Sequence, residues 1–131
     1  TFLFWMMVEF HIIVILIEDF IKVGIDGVSI GSNDLTMLVT GTDRDNAEVA
    51  QAFNEMSPAI LWSLRRVIKK CNQYKITSSI CGQAPSSHED LVYKLVKYGV
   101  TSISVNPDAI NRVRKVIYDA EKMHVARKTI K

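Results

Sequence analysis

Cysteine is scarce in this chain, net charge is almost absent, and no apolar run is long enough to cross a bilayer. Each shortage excludes a class of protein. The two cysteines, Cys71 and Cys81, match neither a C-x-x-C pair nor a zinc-ligand spacing, so neither a disulfide scaffold nor a structural metal follows. Sixteen Lys and Arg against fourteen Asp and Glu leave a formal charge of +2, without the basic face of a dedicated nucleic-acid binder. The opening TFLFWMMVEFHIIVILIEDFI is apolar, but Glu9 and His11 interrupt it early, whereas a membrane span needs ~18–20 apolar residues. The run also lacks the basic beginning and small-residue cleavage site of a signal peptide. No repeat or low-complexity stretch stands out. The expectation is a reduced, cytoplasmic protein with no membrane and no nucleic-acid partner.

What is present is apolar density. Of the 131 residues, 48% are hydrophobic, too many for a solvated coil, and the length suits one domain or a large part of one. Residue 1 is Thr, and the chain opens inside an apolar element. It is therefore expected to be a piece of something longer.

Short β runs alternate with helical periods. Residues 2–9 suit a strand covered on both faces, and residues 12–23 suit a helix stopped by Gly24. A second strand is expected over Gly27–Gly31, ending in the polar Ser32-Asn33-Asp34, followed by the turn formers of TGTDRDN. Ser57-Pro58 reads as an N-cap and first helical position. Behind it Ile60, Leu61, Leu64, Val67, Ile68 and Cys71 recur at helical spacing, with Arg65, Arg66, Lys69 and Lys70 as a solvated face between them. Thr77–Cys81 is a third strand. Ser87 and Asp90 suggest a capping box for a helix running to Gly99. TSISVN, residues 101–106, is a fourth strand, and Asn106-Pro107-Asp108 caps a last helix before a polar, frayed tail, HVARKTIK. Strand and helix thus alternate four times, which implies a parallel α/β sheet. Four units fit either a small open sheet or half of an eight-stranded barrel, which needs ~250 residues.

In such folds ligands bind at the carboxyl ends of the strands. Those ends carry Glu9, then Ser32-Asn33-Asp34, then Cys81-Gly82-Gln83, then Asn106. Caps and strand termini account for many such residues, and Asn106 before Pro107 is read as a cap. A carboxylate between MMV and an apolar helix is harder to dismiss, because burying it without a partner is costly. Glu9 and Asp34 on neighbouring strand ends offer hard oxygens to a Mg²⁺ that keeps waters or substrate oxygens, and such an ion stabilises an enolate. A cysteine thiol ordinarily keeps its proton at neutral pH, so Cys81 is a candidate proton donor or nucleophile. Cys71, on an apolar helical stripe, is read as core. His88 and His124 are expected in exposed helical contexts, without ligand partners at useful spacing. Asp43-Arg44-Asp45 lacks the glycine and glutamate of a calcium loop, whereas Arg44 suits an anion clamp over the strand ends.

SIGSNDLT at 29–36, GTDRDN at 41–46 and ICGQAPS at 80–86 together resemble the phosphoenolpyruvate-utilising enzymes. The resemblance runs from MMVE to about Met123. GQAPS resembles the synthase branch of that family, whereas the dikinase and Enzyme I branches usually carry Gly-Glu there. The chain departs from the family pattern in two places. Phe10-His11-Ile12 stands where an apolar residue, Pro and a small residue usually follow the metal-binding Glu, and Met37 stands where Gln is common.

The resemblance implies a (β/α)8 barrel, of which residues 1–131 are the C-terminal half, strands five to eight, with no complete second domain. It implies that Glu9 and Asp34 bind the catalytic Mg²⁺ (or Mn²⁺). Asn33 and Arg44 would bind the phosphate of phosphoenolpyruvate, with Ser32 and Gln83 in the substrate site, and Cys81 would exchange a proton with C3 of the pyruvate enolate. The partners implied are pyruvate or phosphoenolpyruvate and, in the longer enzyme, a phosphohistidine domain and a nucleotide-binding domain. In the whole synthase, ATP, pyruvate and water would give AMP, phosphoenolpyruvate and phosphate. The isolated half would not turn over, and its two open sheet edges invite self-association, as a homodimer or higher.

Overall fold

The computed structural model describes residues 2–129, with side chains through Val125. Four strands, β1 (Trp5–Val8), β2 (Gly27–Gly31), β3 (Thr77–Cys81) and β4 (Ser102–Ile103), form one parallel sheet in the order β1-β2-β3-β4. Helices α1 (His11–Ile15) and α2 (Ile17–Val23) join β1 to β2. Helix α3 (Ser32–Thr40), a 3-10 turn at Ala50–Ala52 and α4 (Pro58–Tyr74) join β2 to β3. Helices α5 (Ala84–Ser87) and α6 (Glu89–Tyr98) join β3 to β4, and a 3-10 turn at Pro107–Ala109 leads into α7 (Ile110–Thr129).

Each strand pairs with the next in sequence, so right-handed crossovers carry the connecting helices to one side of the sheet. The register divides the strands accordingly. Val8, Ile30, Ile80 and Ile103 share one row. The first three are fully buried with Val28, Ile17, Leu64, Val67, Ile68 and Leu91. Burying each such side chain stabilises the fold by ~1.5–3 kcal/mol. On the other face Met7, Ser29, Ser79 and Ser102 share a row, with Gly31 beside Cys81 at the carboxyl ends. Beyond the exposed Trp5 and Met7 of β1, that face is small and polar, with Ser29 and Ser79 half-buried and Ser102 exposed.

Helix α4 starts as its sequence dictates: the Ser57 hydroxyl accepts from the Ile60 N–H at 3.4 Å, with Pro58 in the first turn. Its buried stripe holds Ile60, Leu64, Val67, Ile68 and Cys71. Gly24 and Gly99 end their helices as expected.

Other expectations are corrected. The first strand spans Trp5–Val8 rather than 2–9, and it is not covered on both faces: Trp5 and Met7 are 42% and 43% exposed. It lies at the sheet edge, with a neighbour on one side only. The helix expected over 12–23 is two helices breaking at Leu16. The Arg66 guanidinium explains the break, donating to the Val14 carbonyl at 2.9 Å and the Ile15 carbonyl at 2.8 Å. A continuous helix would spend those carbonyls on the N–H groups four residues on.

The polar Ser32-Asn33-Asp34 does not merely end a strand but opens α3, whose Ser32, Leu35 and Thr36 are buried. Ser87 closes α5, and His88 takes the N-cap position of α6 without a side-chain cap bond, so the expected capping box is not formed. The fourth strand shortens to Ser102–Ile103, because the Asn106 N–H turns away to the Ser86 hydroxyl at 3.1 Å. Asn106 flanks a 3-10 turn through its carbonyl, not its side chain. The tail expected to fray is helical to Thr129, and residues 130–131 lie outside the described part. Among the described residues no helix is long and apolar enough to cross a membrane.

Candidate active site

The carboxyl ends of β1, β2 and β3 are drawn together by two glycines. A Cβ on Gly31 would stand 2.9 Å from Cγ and 3.0 Å from Oε1 of Glu9, so the half-buried Glu9 side chain occupies the space that Gly31 leaves. Gly82, with φ +105°, adopts a backbone that L side chains avoid, and a Cβ there would collide with the Ser32 hydroxyl. Glu9, Gly31, Ser32 and Gly82 therefore touch across three strand ends. Cys81 pairs with Gly31 in the sheet register.

Asn33 and Arg44, 11 positions apart in sequence, also meet. With the Asn33 amide oriented by its neighbours, its NH2 donates to Glu55 Oε1 at 3.0 Å and its oxygen accepts from Arg44 Nη1 at 3.0 Å. The Arg44 loop is folded by its own side chains. The Asp45 N–H donates to Asp43 Oδ1 at 2.9 Å and the Glu48 N–H to Asn46 Oδ1 at 3.0 Å, which are Asx turns.

Glu55 is the residue that the sequence reading missed. It is only 8% exposed, and its carboxylate also accepts from the Ser32 hydroxyl at 3.3 Å and lies 3.7 Å from His88 Nε2. Burial pushes its carboxyl above the ordinary range, against the downward pull of His88, the Ser32 hydroxyl and Arg44. His88, expected to be exposed, is half-buried and faces this carboxylate. The two signals for Glu55 were a lone charge between Phe53 and Met56 and its closeness to the Ser57 cap, and neither is specific.

Cys81 is half-buried. Its sulfur accepts from the Ser29 hydroxyl at 3.6 Å, and its S–H donates to the Ile30 carbonyl at 3.5 Å. Cys71 is fully buried and its thiol is pushed up to about 11 by desolvation, which agrees with its reading as core. Asp34 and Gln83 are exposed, Asp34 in the first turn of α3 and Gln83 at the start of α5. Among the described residues no three of His, Cys, Asp and Glu gather as a metal cluster. A cavity of about 750 Å³ opens elsewhere, beside Thr101 at the amino-terminal end of β4 and against Asn72, Tyr98 and His124; it holds none of these groups.

The arrangement brings a guanidinium, an amide and the amino-terminal turn of α3 to one mouth, a set suited to an oxyanion. A thiol and two carboxylates lie on the same strand ends. Such a mouth at the carboxyl ends of a parallel sheet defines an α/β ligand-binding domain. Residues 1–122 match the family described as PEP-utilising enzyme, PEP-binding domain, and the chain belongs to that family. It is 46% identical over 125 residues to a protein named "Probable phosphoenolpyruvate synthase" of Archaeoglobus fulgidus, covering 95% of this chain and 16% of that protein. It is 48% identical over 120 residues to "Phosphoenolpyruvate synthase" of Aeropyrum pernix, covering 90% and 14%. For the protein of the same name in Helicobacter pylori the identity is 42% over 118 residues, again covering 90% and 14%. The chain thus spans 14 to 16% of the length of these relatives.

Proposed function

We propose that residues 1–131 are the C-terminal half of a (β/α)8 barrel that binds phosphoenolpyruvate and pyruvate in an enzyme of the phosphoenolpyruvate synthase type. The observation that carries this reading is the meeting of Ser32, Asn33 and Arg44 at strand ends that also bear Glu9 and Cys81. The uniform strand order β1-β2-β3-β4 supports the half-barrel, since closure requires each strand to add on the same side. The apolar edge at Phe2, Leu3, Phe4 and Trp5 is then covered by the barrel's other half, or by a second copy when this chain stands alone. On its own the chain does not turn over. A phosphohistidine domain and a nucleotide-binding domain complete the cytoplasmic enzyme.

Within the site, Arg44 and the Asn33 amide hold the phosphate, with Ser32 and Gln83 at the rim. Cys81 moves the proton. In pyruvate formation its thiol gives a proton to C3 of the enolate, and in the reverse direction its sulfur takes one from the methyl group. The phosphoryl group passes between a phosphohistidine of the longer enzyme and the enolate oxygen. Glu9 and Asp34 would hold Mg²⁺; their hard oxygens suit it, and the room beside Gly31 seats Glu9 at this mouth. Bound there, the ion supplies Lewis acidity toward the enolate oxygen. The test is calorimetric titration of phosphoenolpyruvate into the full-length protein with Mg²⁺. Arg44→Ala is expected to weaken binding by about 10- to 100-fold, the loss of a charge-assisted hydrogen-bond pair. Equal affinities would contradict the reading.

A further inference from the structure

Glu55 lies outside every motif that marks the site, yet it is the buried charge at its centre. The turn that carries it is fixed locally: the Met56 N–H donates to Asn54 Oδ1 at 2.9 Å and the Ser57 N–H to the Asn54 carbonyl at 3.1 Å. From that turn the carboxylate takes the Ser32 hydroxyl, the Asn33 NH2 and the His88 imidazole edge. An ionised carboxylate accepts and never donates. It therefore decides which end of the Asn33 amide points inward, leaving the amide oxygen to receive Arg44. A buried carboxylate is tolerated only when so paired, and here the pairing ties together α3, the Arg44 loop and the start of α6.

We propose that Glu55 is a positioning residue of the phosphate site, orienting the Asn33 amide and through it seating the Arg44 guanidinium. The inference rests on the function proposed above. Glu55 does not itself meet the phosphate, since two anions would repel; its effect runs through Asn33.

The experiment is steady-state kinetics of the full-length enzyme with phosphoenolpyruvate varied, together with thermal melting of each variant. Glu55→Ala is expected to raise KM about tenfold while kcat changes less than about threefold, the scale of one lost hydrogen-bond partner. Glu55→Gln, whose amide oxygen still accepts from Asn33 and Ser32, recovers most of that loss. The double variant Asn33→Ala/Glu55→Ala has the KM of Asn33→Ala alone, the mark of one residue acting through another. Where Glu55→Ala does not fold, Glu55→Asp carries the test, because the shorter side chain pulls back from Asn33. Impaired Arg44→Ala and Asn33→Ala with unimpaired Glu55 variants, or effects that multiply in the double variant, would overturn the inference alone. An unimpaired Arg44→Ala would overturn the reading of the phosphate site and the inference with it.

Discussion

Glu9 lies over Gly31: its Cγ and Oε1 come within 2.9 and 3.0 Å of where a side chain at position 31 would begin. A residue that enters as a charge breaking an apolar run is thereby carried to the end of the neighbouring strand, next to the helix bearing Asp34. Replacing Gly31 with Ala leaves the strand pairing intact and displaces only the Glu9 side chain. We expect Gly31→Ala to weaken Mn²⁺ binding about tenfold and Asp34→Ala to abolish it. Electron paramagnetic resonance of Mn²⁺ titrated into each protein measures both. Identical titrations would remove Glu9 and Asp34 from the ligand set.

The two cysteines differ in surroundings, so they are expected to differ in reactivity. The Cys71 thiol is fully buried and pushed up to about 11, and thiolate is the reactive form. Iodoacetamide followed by mass spectrometry should therefore modify Cys81 alone in the native protein and both residues in urea. Native modification of Cys71 would contradict the packing of α4 against the sheet.

Glu55 gives stability a pH dependence of definite sign. Its folded-state carboxyl is raised by burial, with His88 and Arg44 as the charged groups facing it. Between the ordinary carboxylate range and that raised value, the folded chain holds a proton that the unfolded chain has released. Stability contributed by the protonated form is complete below this window and lost as pH rises through it. Glu55→Gln has no proton to lose. In urea titrations over that range, wild type should lose stability relative to Glu55→Gln as pH rises, and a His88→Gln background keeps the facing imidazole out of the comparison. Parallel profiles would contradict the burial of a charged Glu55.

Much of this arrangement was legible in the sequence because it is local. The Ser57-Pro58 cap, the stops at Gly24 and Gly99, and the strands at Gly27–Gly31 and Thr77–Cys81 are set by neighbouring residues, and all five stand as read. What the sequence hid is decided at a distance. The break at Leu16 follows an arginine 50 positions later, and the exposure of Trp5 and Met7 goes with the place of β1 at the sheet edge. Ser, Asn and Asp read as a strand terminus because they favour caps, and only the burial of Leu35 and Thr36 beneath them makes α3 a helix. At the candidate site, Ser32, Asn33 and Arg44 were expectations drawn from their motifs. Glu55 and His88 were not, since no spacing announces a carboxylate buried by residues from three other segments.

The central claim, that these strand ends handle pyruvate through Cys81, has a direct measurement. Proton NMR follows the loss of the pyruvate methyl signal in deuterated water with the full-length protein, Mg²⁺ and no nucleotide. Wild type should exchange the methyl protons, and Cys81→Ala should lower the rate by about 10²–10⁴, the usual contribution of a positioned acid–base group, while still binding phosphoenolpyruvate. Exchange at the wild-type rate in Cys81→Ala would contradict the account.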